Sequence, residues 1–399
     1  MTHTKAELKQ MQSMPLHWKV PMSKDRIKWW FEAWTKYGIY NYDTKETRYV
    51  TAKDEPKVDN NENIETAETG QVYVSFSGGK DSTVLADLSA QVCQMYGWDL
   101  YLVFVNTGLE YPEIQQFVKF FAQWLRDKYG ITVHLEILRP KMRFDEVIKQ
   151  YGYPVISKEV SECVSQAKIN LKNDNHYSYR MKKLRGELID EHGNPSLFNI
   201  AKYKPLLYTS FNSSHKCCDV MKKKPVKEYE KKTKRKPITA QMASESRLRQ
   251  QKWLKNGCNG FNAKRPISNP MSFWTEQDVL QYIKENNLPI ASVYGDIVYA
   301  TDSNQMRIED YGIQGCGTEK LCTTGCNRTG CIFCLFGAHL EKGEGRLERL
   351  KKTHPRQYDY CMNGGEYVNG IWQPNKQGLG MKKVIDDLNE IYGEGFIKY

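Results

Sequence analysis

Between residues 72 and 151, short apolar runs alternate with stretches in which apolar residues recur at helical spacing. The apolar runs predict strands at 72–76, 100–105 and 132–138, and the periodic stretches predict helices at 82–96, 112–129 and 143–151. Strands that alternate with helices imply right-handed crossovers and a sheet covered on both faces. The pattern therefore predicts an α/β fold, a doubly wound, mostly parallel sheet.

The rest of the chain is organised around this core. An amphipathic helix is expected at Lys24–Tyr37, with Ser23 as its cap, and the polar stretch 51–70 is expected to be a loop. Further helices are predicted from Thr275 to about Asn286 and at Met381–Tyr392. The predicted domains are a helical segment and linker at 1–70, a nucleotide-binding domain at 71–300 with an insertion at about 160–210, and a cysteine-rich helical region at 301–399.

Composition narrows the functional classes. The 399 residues carry a net charge of +11, which is compatible with anionic substrates or nucleic acid and does not choose between them. There is no apolar run long enough to span a bilayer, and residues 1–12 lack the apolar core of a secretory signal. We therefore expect a cytoplasmic protein without a membrane partner. Cysteines in that compartment favour metal or iron–sulfur ligation over disulfides.

The segment Ser77-Gly78-Gly79-Lys80-Asp81-Ser82 joins the first predicted strand to the first helix. Glycines let the backbone approach an anion, and the helix N-terminus directs free N–H groups toward the same place. Lys80 adds a mobile positive charge. We expect a phosphate cradle formed by Ser75, Phe76, Ser77, Gly78, Gly79, Lys80, Asp81 and Ser82.

The spacing of this segment differs from that of P-loop nucleoside triphosphatases. It resembles the PP-loop of the adenine nucleotide alpha-hydrolase superfamily, which includes enzymes that cleave ATP between its alpha and beta phosphates. The loop Asn106–Pro112 follows the second strand and belongs to the same predicted cleft.

Cysteines form two conspicuous groups. Cys217 and Cys218 are adjacent, and Cys331 and Cys334 form a CxxC. This set resembles the ligand pattern of adenylylsulfate (APS) reductases, which implies a four-iron, four-sulfur (4Fe-4S) cluster. Lys222 matches a lysine that follows the cysteine pair in that family.

Other assignments of the cysteines stay open. Cys316, Cys322 and Cys326 precede the CxxC closely enough for a zinc knuckle built from that segment alone. Cys258 and Cys361 could complete a second site.

From about Gln71 to Leu335 the chain resembles the phosphoadenosine phosphosulfate (PAPS) reductase family of the PP-loop superfamily. Thr107 and Gly108, followed by Pro112, resemble the loop that the family places beside its nucleotide, and Glu245–Arg249 resembles its ESxxR element. The resemblance implies nucleotide contacts from Thr107, Gly108, Glu110, Lys222 and Arg249. Arginine suits an oxyanion because its planar fork forms two charge-assisted bonds.

Three departures point away from sulfonucleotide reduction. Ala240 and Met242 stand where the family pattern GxRxxES has Gly and Arg. The final residues of the sequence contain no cysteine where those reductases carry a nucleophile. The intact glycine loop also resembles members that cleave ATP.

The leading hypothesis is therefore an enzyme that binds ATP with Mg²⁺, adenylylates a substrate and transfers sulfur with the help of an iron–sulfur cluster, akin to the enzymes of DNA phosphorothioation. Lys80, Asp81 and Arg249 are its expected catalytic residues, with Asp81 as a metal or water ligand. The sulfur acceptor would be a nucleic acid or a protein, and a partner protein would supply electrons or sulfur.

Two alternatives remain. One is a reductase that converts APS or PAPS to sulfite, with Cys361 or a partner thiol as the nucleophile. The other is a nucleotide-binding or nucleic-acid-binding module that has lost its catalytic residues.

Overall fold

The computed structural model describes residues 3–68, 71–300, 320–341 and 343–399. Its helices are α1 (Lys5–Ser13), α2 (Leu16–Ala33), α3 (Lys80–Tyr96), α4 (Pro112–Tyr129), α5 (Phe144–Tyr151), α6 (Lys158–Lys172), α7 (Tyr179–Arg185), α8 (Lys224–Thr233), α9 (Arg247–Asn256), α10 (Glu276–Glu285), α11 (Arg346–Thr353), α12 (Pro355–Met362) and α13 (Met381–Tyr392).

The strands are β1 (Lys36–Asn41), β2 (Glu46–Thr51), β3 (Glu62–Glu68), β4 (Val72–Ser75), β5 (Leu100–Val105), β6 (Val133–Leu138), β7 (Val155–Ile156), β8 (Lys236–Ile238), β9 (Asn259–Gly260), β10 (Ile267–Ser268), β11 (Ile297–Tyr299), β12 (Leu321–Thr323), β13 (Leu335–Phe336), β14 (Glu366–Val368) and β15 (Ile371–Gln373). Short 3₁₀ turns connect several of these elements.

The chain forms two compact units, each assembled from separate segments. The first unit comprises 1–105, 111–138 and 228–329, and the second comprises 106–110, 139–227 and 330–399. Each unit is described by itself below.

A six-stranded sheet in the order β6-β5-β4-β8-β10-β9 forms the centre of the first unit. Its strands are parallel except for the edge strand β9, which runs antiparallel to β10. From β4 the chain passes outward through β5 to β6, and only later returns to β8 on the other side of β4. The strand order therefore reverses at β4, and ligands of such sheets bind beyond the carboxyl ends of the strands at that point.

The α/β class and the mostly parallel sheet predicted from the sequence are confirmed. The predicted helices at 82–96, 112–129 and 143–151 correspond to α3, α4 and α5. Helix α3 is buried along most of its length because it packs between the sheet and α2, α4 and α10.

The N-terminal region differs from the expectation. Helix α2 starts at Leu16, well before the predicted start, and ends at Ala33, while Lys36 and Tyr37 of the predicted helix lie in β1. The expected loop contains β3, which completes an antiparallel sheet in the order β2-β1-β3. The polar sequence of β3 carries little strand signal because its outer face is exposed, and its pairing with β1 decides its conformation.

Ser23 was expected to cap a helix, but it lies in the middle of α2 and is fully buried. Its hydroxyl accepts a hydrogen bond from the indole N–H of Trp274 at 2.9 Å and donates to the Pro270 carbonyl at 3.1 Å. One helical turn away, the Lys19 ammonium is 2.7 Å from the Asp278 carboxylate, with only 1% of its side chain exposed. Buried polar contacts thus anchor α2 to the first turn of α10 and to the segment before it.

The second unit is held by short strands and buried aromatic residues. Strands β7 and β13 pair in parallel, and Phe211 pairs with Trp372 through an isolated bridge. The buried Tyr153 donates its hydroxyl hydrogen to the Leu379 carbonyl at 2.7 Å. Helix α13, which matches its predicted bounds, contributes buried apolar residues on one face.

Within the described residues, no helix combines the length and the apolar character that crossing a bilayer requires.

Replacing Lys19 with alanine should destabilise the fold by about 3 kcal/mol, because it leaves the Asp278 carboxylate without its buried cation. The measurement is the free energy of unfolding in urea. The matched control is Lys28→Ala on the same helix, whose ammonium is 3.6 Å from Glu32 in an exposed pair; this change should have little effect. Equal losses in the two variants would contradict the assigned role of the buried pair.

Candidate functional site

The glycine loop lies at the carboxyl end of β4, at the reversal of strand order. Gly78 has φ +72°, and a Cβ at this position would come within 2.9 Å of the side chains of Ile114 and Val118. Glycine is therefore required here both by the left-handed backbone and by the close approach of α4.

The loop leads directly into α3. Gly79 is the N-cap of this helix and makes no side-chain cap bond to the first turn. The hydroxyl of Ser82 accepts a hydrogen bond from the Ser77 N–H at 3.2 Å and lies 3.1 Å from the Ser77 hydroxyl, which closes the loop. A helix start without a side-chain cap presents amide donors and a positive dipole end to an anion.

Lys80, the first residue of α3, is only 4% exposed. Its ammonium is 2.8 Å from a Glu276 carboxylate oxygen and donates to the Asn327 carbonyl. Its backbone N–H donates to the Tyr294 hydroxyl at 3.2 Å, and that hydroxyl is 2.6 Å from the hydroxyl of Thr329. The backbone N–H and the ammonium group of Lys80 are thus both held by residues distant in sequence.

A small pocket of about 180 Å³ opens at this place. Charged and polar groups line it, together with one apolar side chain: Lys80, Asp81, Met242, Ser244, Glu245, Thr275, Glu276 and Arg328. Two helices, α3 and α10, begin at its wall. The pocket therefore combines positive dipole ends with side chains of both signs, an arrangement that fits an anion accompanied by a metal ion.

The carboxylate of Asp81, which lines this pocket, is buried and has an unpartnered oxygen among the described residues. Burial raises the pKa of its carboxyl group, while the charge of Lys80 opposes this shift. Its Oδ1 atom is buried and has no hydrogen-bond partner among the described residues. Buried polar atoms are almost always partnered by protein, water or an ion, so this oxygen has the character of a ligand for a cation.

Arg249 lies beside a second arginine. It forms an ion pair with Glu245 one helical turn earlier, and the same carboxylate is 3.6 Å from Arg328. Burial lowers the pKa of the Arg249 guanidinium, and the charge of Arg328 lowers it further. Two guanidinium groups therefore share one carboxylate.

Not every residue predicted for the cradle can present its side chain to a ligand. Phe76 is 1% exposed and packs on Phe121, with ring centres 5.6 Å apart. Its N–H donates to the Val103 carbonyl. Ser75 is the last residue of β4 and pairs with Val103. The remaining predicted residues of the cradle lie in the loop or in the first turn of α3.

The other predicted nucleotide contacts belong to the second unit. The Glu110 carboxylate accepts hydrogen bonds from the Thr107 N–H at 3.0 Å and from its hydroxyl at 2.7 Å. The Lys222 ammonium is 3.9 Å from Glu110. Gly108 adopts φ +74° at the exposed tip of the same turn. Thr107, Gly108, Glu110 and Lys222 thus form one group within this unit.

The four predicted cysteine ligands also meet in the second unit. Cys217 and Cys218 share a hydrogen bond, which lowers the pKa of Cys218 and raises that of Cys217, and the charges of Cys331 and Cys334 raise the latter further. Burial raises the pKa of Cys331 to about 11. All four sulfurs are therefore close enough to influence one another electrostatically.

Two lysines add positive charge to this cluster. Lys158 and Lys222 both lower the pKa of Cys218, and Lys222 hydrogen-bonds Cys331. Positive charge favours the thiolate form that metals bind. The Ile332 N–H, inside the CxxC, donates to the Leu109 carbonyl at 2.8 Å and so ties the CxxC to the turn that carries Glu110.

In the part of the chain that the structure describes, no three Cys, His, Asp or Glu side chains are arranged to hold a single metal ion. A tetrahedral zinc site needs four ligands at about 2.0 to 2.3 Å from the metal. Cys316, one of the thiols of the alternative zinc knuckle, lies outside the described residues.

The other cysteines have local surroundings of their own. Cys326 is 7% exposed, and Cys258 lies 3.2 Å from the Ser272 hydroxyl. Cys361 is fully buried against the sulfur of Met381, and burial raises the pKa of its thiol. A protonated thiol without access to solvent does not suit the role of nucleophile suggested for Cys361.

A second cavity, of about 370 Å³, lies in the second unit. Its lining includes the buried Leu109, Phe144 and Phe333, together with Thr107, Arg139 and Tyr360. Phe333 lies between the two cysteines of the CxxC. A lining that combines aromatic rings with arginine is suited to a planar ligand that also carries negative charge.

These features can be compared with known proteins. The family model of the phosphoadenosine phosphosulfate reductase domain matches residues 71–182 and 178–335. The chain belongs to this family. The matched residues include the glycine loop, the Glu245–Arg249 element and all four predicted cysteine ligands.

A curated relative is similar over a shorter stretch. The uncharacterized protein MJ0973 of Methanocaldococcus jannaschii is 37% identical over 98 residues, which are 25% of this chain and 21% of that protein. The chain thus matches about a fifth of the length of this relative.

Several residues at or beside the phosphate pocket were not identified as functional from the sequence. The Tyr294 hydroxyl accepts the Lys80 N–H, Thr329 bonds that hydroxyl, and Glu276 pairs with the Lys80 ammonium. Glu276 lies in a helix predicted from the sequence, and Arg328 lies three positions before the first cysteine of the CxxC. Their spacing along the chain carries no signal for this pocket, because each comes from a different element.

Replacing Gly78 with alanine should destabilise the protein by about 1 to 3 kcal/mol more than Gly97→Ala. Both glycines have positive φ, but a Cβ at Gly97 would meet nothing within 4 Å. The difference therefore isolates the contact with α4, and urea unfolding measures it. Equal destabilisation of the two variants would show that the loop does not need this close approach.

Proposed function

We propose that this PAPS-reductase-family protein binds ATP with Mg²⁺, cleaves it between the alpha and beta phosphates to adenylylate an acceptor, and transfers sulfur to the activated acceptor. The observation that supports this most directly is the glycine loop at the reversal of strand order, with the buried ammonium of Lys80 and the partnerless oxygen of Asp81 at one pocket.

The reaction divides into two displacements. An acceptor oxygen attacks the alpha phosphorus of ATP, forming acceptor–AMP and expelling pyrophosphate. A sulfur nucleophile then attacks the acceptor atom to which this oxygen is bonded, and the bond to the oxygen breaks, so that AMP leaves with the oxygen and the bonding electrons. Both leaving groups are phosphate anions, so positive charge at the phosphate pocket accelerates both steps.

The residues of the first unit have distinct roles in this scheme. Lys80 and the first amides of α3 bind phosphate oxygens, and they stabilise the charge that develops on pyrophosphate. Arg249 binds a further oxygen with its planar fork. Asp81 holds Mg²⁺, which supplies charge neutralisation at the phosphates when it is bound.

The four cysteines of the second unit fit an iron–sulfur cluster by their chemistry. They are thiols from two segments gathered at one place, with Lys158 and Lys222 favouring the thiolate form. Such a cluster, when bound, would supply a site at which a sulfur atom or an electron enters the reaction. Cys217, Cys218, Cys331 and Cys334 would hold it, and the aromatic cavity beside Phe333 would receive the acceptor.

Sulfonucleotide reduction is the second candidate, and family membership favours it. A sulfite assay with APS or PAPS and a thiol donor tests it directly. Because Cys361 is fully buried, this candidate would draw its nucleophilic thiol from a partner protein. A nucleic-acid-binding module without turnover would instead give salt-dependent binding and no pyrophosphate.

Incubation with ATP and Mg²⁺ should release pyrophosphate once the acceptor is present, and Lys80→Ala should reduce the rate by about 10²- to 10³-fold. The loss is expected because the variant removes the one cation at the first turn of α3. A coupled pyrophosphate assay gives the rate.

Lys119→Ala, at an exposed position of α4, is the matched control and should keep full activity. Thermal unfolding of both variants checks that the buried lysine is not needed merely for folding. A stable Lys80→Ala variant with unchanged pyrophosphate release would contradict the proposed role of the loop.

Anaerobic purification should give a brown protein that contains iron and inorganic sulfide. Replacing Cys218 or Cys331 with serine should lower the iron content strongly, because each change removes a thiolate ligand. Cys163→Ala should keep the iron, since Cys163 is buried in α6 and donates to the Arg180 carbonyl. Zinc without iron, or iron unaffected by the serine variants, would reject the cluster.

A further inference from the structure

Arg328 occupies a position in the phosphate pocket that the family pattern fills from another segment. The pattern GxRxxES has arginine where this chain has Met242. In the structure, Met242 and Arg328 line the same pocket as Lys80 and Asp81. The pocket therefore lacks a cation at Met242 and has one at Arg328, which is distant in sequence.

The chain around Arg328 is fixed on both sides by the glycine loop. The carbonyl of Asn327 accepts a hydrogen bond from the Lys80 ammonium. The hydroxyl of Thr329 bonds Tyr294, which in turn accepts the Lys80 N–H. Both neighbours of Arg328 thus contact Lys80 directly or through one hydroxyl, which sets the backbone of Arg328 at the pocket wall.

The guanidinium of Arg328 is held loosely. It is 3.6 Å from the Glu245 carboxylate, and 68% of its side chain is exposed. Glu245, in the 3₁₀ turn before α9, is itself paired with Arg249 in the first turn of that helix. One carboxylate therefore faces two guanidinium groups, and an exposed ion pair of this length contributes little stability. Arg328 can turn toward an anion without breaking a strong contact.

We propose that Arg328 and Arg249 form a clamp for the beta and gamma phosphates of ATP, with Arg328 supplying the charge that Met242 does not. This inference rests on the proposed function and specifies how the site distinguishes a triphosphate from a monophosphate. The two guanidinium groups, brought together at Glu245, bind the departing pyrophosphate, while Lys80 and the loop amides bind closer to the scissile bond.

Calorimetric titration with ATP and Mg²⁺, with pyrophosphate and Mg²⁺, and with AMP tests the clamp. Arg328→Ala should weaken the binding of ATP and of pyrophosphate by about 10- to 100-fold. AMP, which lacks the clamped phosphates, should bind the variant as tightly as the unmodified protein. Arg247→Ala, at an exposed position on α9 outside the pocket, is the matched control and should leave all three affinities unchanged.

A double variant places a positive charge at position 242 when the charge at position 328 has been removed. Adding Met242→Arg to Arg328→Ala should recover a large part of the lost affinity for ATP and pyrophosphate, because the new guanidinium enters the same pocket. Arg328→Lys should give an intermediate affinity, since lysine keeps the charge but lacks the planar fork.

Each other outcome has a distinct meaning. If Arg328→Ala binds ATP and pyrophosphate normally, the clamp is wrong while the proposed function stands. If AMP binding falls by the same factor as ATP binding, Arg328 has only a structural role and the clamp is again wrong. If the unmodified protein binds neither ATP nor pyrophosphate, the proposed function and the clamp are both rejected.

Discussion

The arrangement of the first unit depends on the burial of one ammonium group at the start of a helix. A positive charge in the first turn of a helix faces the positive end of the helix dipole, and removal from water adds a further cost. Lys80 offsets these costs through the Glu276 carboxylate and the Asn327 carbonyl. These partners come from α10 and from the segment that follows β12, so the position of the Lys80 ammonium depends on both.

The burial of the Lys80 ammonium favours a role for the glycine loop in binding an anion. A bound phosphate group would stabilise the buried ammonium and the amides of the first turn of α3 together. Asp81 adds a second sign of function, since one of its oxygens is buried without a partner. Such costs are tolerated where a ligand removes them on binding.

The cysteine cluster of the second unit also combines ionisable groups with side chains of the opposite charge. The pKa values of Cys217, Cys331 and Cys334 are raised, whereas the hydrogen bond from Cys217 and the charges of Lys158 and Lys222 lower the pKa of Cys218. Lys222 also approaches Glu110, which orders the turn at Thr107. Along the chain, Arg328 and Thr329 precede Cys331 by three and two positions, so one short segment carries residues of the phosphate pocket and the first cysteine of the CxxC.

The sequence alone determined the α/β core, the bounds of its main helices and the family, because these follow from local periodicity, from a glycine loop at a strand end and from motifs of fixed spacing. It did not reveal β3, whose polar residues form a strand only by pairing with β1. It also assigned Ser23 to a helix cap, although the tertiary structure buries it under Trp274. Only the tertiary structure decided which side chains meet at Lys80. Tyr294, Glu276 and Arg328 converge there from separate elements, and contacts between residues so distant in sequence leave no periodic or local signal along the chain.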